Sequence, residues 1–202
     1  MLSSGTKKTY YGGNQSWYDE DKMKNNGCGP VAAANTLCYM SSSSTYEELY
    51  PYTNLSKTSF KKFMVTMYNT ISPGVLGETS HSGFADKVVK WAKSQGVSLT
   101  AHKGVISFGA NTAAANDIKA GLKKDKPVAI LNLNKFYANT NPPPRDDLGW
   151  HWITATKYFQ APDNTRWLGL SSWGRRIGID WDFYYKSFGA QGSLGGGYVW
   201  FE

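Results

Sequence analysis

The run Asn25-Asn26-Gly27-Cys28-Gly29-Pro30-Val31-Ala32-Ala33-Ala34 changes character half-way: turn formers give way to small apolar residues. Pro30 suits the first turn of a helix, where its missing N–H costs no bond. The apolar stretch lasts to about Met40 and stops at Ser41–Ser44. Cys28 therefore stands at a helix N-terminus. About half a positive charge gathers there and favours thiolate over thiol. Cys38 lies roughly three turns further on, outside that field, and reads as a small core residue. Along one helix the two cysteines are about 15 Å apart. A disulfide spans about 4.4–6.8 Å between Cα atoms, so both are expected as free thiols.

Outward from this helix, the spacing of Phe60, Phe63, Met64 and Met67 predicts a second helix over 57–70. Phe84, Val88, Trp91 and Ala92 predict a third over 82–95, stopped by Gly96. Thr45–Tyr50 reads as a short helix with a capping-box spacing from Thr45 to Glu48, and 112–124 as another helix. Strands are expected at 97–101, 127–133, 151–158, 166–171 and 177–181. A last one, at 198–201, reads as an edge strand or tail behind a flexible Gly195-Gly196-Gly197 joint. Helices crowd the first part and strands the last, the signature of an α+β fold with an antiparallel sheet. At about 150 residues per domain, 202 residues make one domain, 1–202, helical over about 28–125 and sheet over about 127–202.

A hydrophobic fraction of 41% excludes a disordered chain. Apolar runs such as Val31–Ala34 are too short to span a membrane. The net charge of +7 divides as +3 over residues 1–101 and +4 over the rest. Nucleic-acid binders usually concentrate their charge, so no nucleic-acid partner is expected. An anionic surface remains a suitable partner. Three scattered histidines and two cysteines give no zinc spacing, so neither metal nor cofactor is expected. The N-terminus shows no apolar signal segment, while richness in Asn, Ser, Gly, Tyr and Trp leans towards a secreted or cell-surface protein. A monomer is the default.

A cysteine nucleophile needs a base. His81 reads as a cap or surface residue and His102 as exposed. His151 opens an apolar strand just after the Pro-rich loop Asn139–Gly149, itself either a lid or an idle surface loop. A strand start at a loop rim holds an imidazole rigidly. About 20 residues on, Leu170-Ser171-Ser172-Trp173-Gly174 ends the next strand. Ser171 or Ser172 there can orient the imidazole, and Trp173 can exclude water. Gln15, with Asn25 and Asn26 as rivals, is the candidate side-chain donor to an oxyanion, beside the Cys28 N–H. Trp173 and Trp150 are candidate cleft walls.

The order Gln15, Gly27-Cys28-Gly29-Pro30 with its Ala-rich helix, His151 and Ser171-Ser172-Trp173-Gly174 resembles the papain-like cysteine peptidases, specifically the C39-like branch. The resemblance covers roughly residues 10–40 and 148–182. It implies a papain-like fold and a cysteine peptidase or related amide hydrolase acting on a peptide or protein through a thioester. Cys28 would be the nucleophile, His151 the base, Gln15 the oxyanion donor and Ser171 the third member. That last position departs from the family, which carries Asn or Asp there. The departure leaves three readings open: a Cys–His dyad, alone or with Ser171 or Ser172 as a weak third member; a carboxylate substitute at Asp180 or Asp182; or an impaired enzyme that binds peptide or glycan.

Overall fold

The computed structural model describes residues 2–4, 8–75, 77–106, 111–133, 148–182, 184 and 196–202. The Asn139–Gly149 loop lies outside them except for its last two residues. Among these residues five α-helices form, α1 (Asp21–Asn26), α2 (Cys28–Met40), α3 (Lys57–Ile71), α4 (His81–Ser94) and α5 (Asn111–Lys123). A small β1–β2 pair (Leu2–Ser4, Lys8–Tyr10) precedes them. The main sheet comprises β3 (Ala101–Val105), β4 (Val128–Asn132), β5 (His151–Gln160), β6 (Arg166–Ser172), β7 (Arg175–Asp180) and β8 (Gly196–Phe201). Its order is β3-β8-β4-β5-β6-β7, antiparallel throughout. The chain is an α+β protein.

The sheet is apolar on both faces, and alternation sorts its side chains between two cores. Ala129, Leu131, Trp152 and Val199 pack towards α2, α3 and α4. Ile130, Ile153, Leu168 and Trp200 pack with Ala114 and Ile118 of α5 on the other side. This explains why β4 reads as a near-continuous apolar run: all five of its residues, the polar Asn132 included, are buried. In α3, Phe60, Phe63, Met64 and Met67 are all buried, as their spacing predicts. Burial of each such side chain stabilises the fold by about 1.5–3 kcal/mol. Ser56 caps α3 through a reciprocal capping box with Ser59.

Three boundaries differ from expectation. The 44–49 segment is a 3-10 helix, and Ser43 precedes it with no side-chain cap, so Thr45 caps nothing. Residues 97–100 form no part of strand β3. The left-handed Gly96 (φ 82°) ends the turn after α4; Thr100 and Glu202 exchange backbone hydrogen bonds, and the strand itself starts at Ala101 opposite Phe201. The C-terminal strand is not an edge. β8 lies between β3 and β4, and Gly196 and Gly197 belong to it.

Candidate active site

Cys28 is the first residue of α2. Gly27 is required before it, because a Cβ there would overlap the Tyr18 ring and the Met23 carbonyl. Ala33 and Ala34 are fully buried, and such small side chains let α2 lie close against the sheet. Cys28, Val31, Ala32 and Asn35 recur at helical spacing on one face of α2. They line a narrow cleft together with Gln15, His151, Trp152, Ser171, Ser172 and Trp173. The cleft's free volume is about 10 Å³, roughly enough for one water. The structure thus brings the proposed nucleophile, base and oxyanion donor to one place.

His151 is buried, and its Nε2 lies 2.8 Å from the Ser172 hydroxyl. Its ring stacks on Trp173 at 4.4 Å and 12°. Ser172, not Ser171, is therefore the histidine's serine. Successive strand residues point to opposite faces, which separates the pair. The Ser171 hydroxyl instead faces α2 and donates to the Tyr11 carbonyl. Asp180 is opposite Trp167, while Ser172 is opposite Arg175 at the other end of the ladder. At about 3.3 Å per residue, that places Asp180 some 17 Å along β7. Asp182 is engaged by Arg166. Neither carboxylate orients His151.

The β6–β7 turn is Trp173-Gly174, with φ of 48° and 72°. Two central residues at positive φ make a type I′ hairpin turn. A tryptophan in that region is strained by about 1–3 kcal/mol. The turn is tied to the N-terminal segment. Tyr11 N–H donates to the Gly174 carbonyl (3.0 Å), Gly174 N–H to Gly13 (2.8 Å) and the Asn14 amide to Trp173 (3.0 Å). Asn35 accepts from Gly13 N–H at 2.8 Å. This lacing fixes Gln15, whose Nε2 donates to the Lys24 carbonyl at 2.8 Å. One amide hydrogen is used there, and the second remains for the cleft. Neither Asn25 nor Asn26 lines the cleft.

Trp150 is not a wall of this cleft. It is 73% exposed and sits at φ 51° before β5. His102 is half-buried, stacked on Trp200 at 3.8 Å and 2.8 Å from Glu202. His81 begins α4, and burial lowers its pKa. Both cysteines are free.

Burial pushes the Cys28 thiol above its ordinary value. Backbone N–H groups of Trp152, Gly29 and Cys28 itself pull the other way and are outweighed. Some of the Cys28 surface remains open, but onto a cleft with room for one water, so the sulfur is poorly solvated. The helix terminus alone does not leave Cys28 a ready thiolate. Burial also pushes Cys38 up, to about 12.

No protein-family model and no curated protein matches the chain. Asn14 and Asn35 are the site residues that sequence reasoning passed over, and Ser172 is the alternative to Ser171 that the sequence leaves open. Asn35 left a signal, as a polar residue seven positions after Cys28 in an otherwise small and apolar run.

Proposed function

We propose that the chain is a papain-like, C39-like cysteine peptidase or related amide hydrolase. One observation carries this reading: Cys28 at the start of α2 and His151 at the start of β5 line the same narrow cleft. With Nε2 occupied by Ser172, the histidine nitrogen that exchanges a proton with Cys28 is Nδ1. Nε2–H then donates to the serine, fixing the tautomer.

Because burial favours the neutral thiol, His151 acts as a general base at the moment of attack. The Cys28 proton passes to His151 as the sulfur–carbon bond forms. The carbonyl oxygen becomes an oxyanion, held by the Cys28 N–H and the Gln15 amide. The C–N bond breaks, and the amine leaves with the proton from His151. Water then gives a proton to His151 and attacks the thioester. The acid leaves, and Cys28 regains its proton. The stacked indole of Trp173 shields the imidazole from bulk water.

The tightness of the cleft and the raised Cys28 thiol also favour a second reading, a papain-fold module that binds without cleaving. Iodoacetamide labelling from pH 5 to 10, read by mass spectrometry beside cleavage of an internally quenched peptide pool, separates the two. A raised pKa means less thiolate at neutral pH. The Cys28 labelling rate should therefore climb only above about pH 8.5, the ordinary thiol value. Cys38 should label more slowly still. Alkylating Cys28 should abolish peptide cleavage. Cleavage that survives alkylation, or an inert wild type, would sink the peptidase reading. A labelling plateau below pH 7 would replace the general-base step by a preformed ion pair.

A further inference from the structure

The α2 face that carries Cys28 continues past the cleft. Asn35, Cys38, Tyr39 and Ser42 follow at the same helical spacing and roof a second, larger cavity of about 510 Å³. That is ligand-sized, since small-molecule sites run to about 300–1,000 Å³. Its floor is a row across three strands: Thr154 of β5 is opposite Ser171 of β6, which is opposite Arg176 of β7. Asn35, Thr154 and Ser171 form a wall shared with the catalytic cleft.

Two features show that this space is not an incidental gap. Seven large hydrophobic side chains are left exposed among the described residues, and three of them, Tyr11, Tyr39 and Leu55, line this cavity. Apolar surface gathered at one place marks a binding site far better than scattered residues do. Cys38, held as a neutral thiol, adds to the apolar lining. Among the described residues, Arg176 is the one charged residue in the lining. It stands exposed on β7, the edge strand, so its guanidinium lies at the mouth. It forms no ion pair among the described residues.

We propose that this cavity binds a small amphipathic carboxylate, an apolar body carrying one anionic head. The apolar lining takes the body. The guanidinium fork matches a carboxylate in two parallel hydrogen bonds. A single cation, with no second Lys or Arg among the described lining residues, suits a monoanion rather than a phosphate. This site is independent of the chemistry assigned to Cys28.

Isothermal titration of the full chain with decanoate, kept below its micelle concentration, tests the proposal. Saturable one-to-one binding is expected, weaker at high salt because the head-group contact is exposed. Arg176→Gln should weaken it about tenfold. Leu55→Glu, which sets a like charge on an exposed rim residue, should weaken it as well. Acetate and decyltrimethylammonium should show no saturable binding. Cys28→Ala should bind decanoate as wild type does. The proposal is overturned if decanoate does not bind, if Arg176→Gln binds it equally well, or if the cationic analogue binds as tightly. Loss of binding in Cys28→Ala would place decanoate in the catalytic cleft and overturn it too.

Discussion

His151→Ala is expected to slow cleavage of the quenched-peptide pool about a thousandfold, within the usual range for loss of a general base. Among the described residues nothing else in the cleft can replace it: apart from the Cys28 thiol, the other lining side chains are amide, hydroxyl, indole and aliphatic. Ser172→Ala should act through the same ring and cost less, about tenfold to a hundredfold. It leaves the buried Nε2 without its serine partner, a loss of about 1–3 kcal/mol. On the proposed reading Ser172 positions the imidazole, so its removal should also move the pH profile of kcat/KM. Ser171→Ala should leave the profile's shape alone, because its hydroxyl bonds to the Tyr11 carbonyl and not to the imidazole. A thermal melt of each variant separates unfolding from loss of chemistry. If Ser171→Ala shifts the profile and Ser172→Ala does not, the assignment of the two serines is reversed. If His151→Ala cleaves as wild type does, the general-base role is wrong.

Much of this site is legible in the sequence because its parts are local. A cysteine after a glycine turn and before an Ala-rich run marks a helix start wherever the helix packs. A histidine at the head of an apolar strand marks a rim position. What the sequence leaves open depends on tertiary register. Ser171 and Ser172 are adjacent in the chain, and only the pairing of β6 with β5 and β7 settles which faces α2 and which meets His151. The lacing of residues 11–14 to the Trp173-Gly174 turn joins segments about 160 positions apart, beyond any local pattern. The state of Cys28 is a competition of magnitudes. The helix terminus and backbone amides favour the thiolate, and burial of the sulfur prevails. Sequence shows the first contribution and hides the second.

The position of β8 illustrates the same limit and carries the largest expected change in stability. Three successive glycines before a short apolar run read as a flexible joint and a tail. In the fold, Gly196 instead lies opposite Asn132 in the interior of the sheet, at φ 121°. A Cβ there would overlap the Leu131 carbonyl oxygen, a backbone atom that cannot rotate away. Gly196→Ala therefore combines a disfavoured φ with a clash against β4, and should cost about 3–5 kcal/mol. For a chain of this size that lowers the Tm by about 10 °C. Gly178→Ala is the matched control, because its added Cβ meets nothing within 4 Å on exposed β7. It should be neutral or raise stability by about 0.4–1 kcal/mol, through loss of unfolded-chain entropy. The damage from Gly196→Ala should reach the cleft. β4 is the strand between β8 and β5, Asn132 is opposite His151, and its amide donates to the Leu148 carbonyl at 2.6 Å. Cys28 should then label faster at pH 7 in Gly196→Ala than in wild type, as the cleft loosens and the sulfur is better solvated. Equal melting of the Gly196 and Gly178 variants would mean that β8 does not pair with β4 in this register.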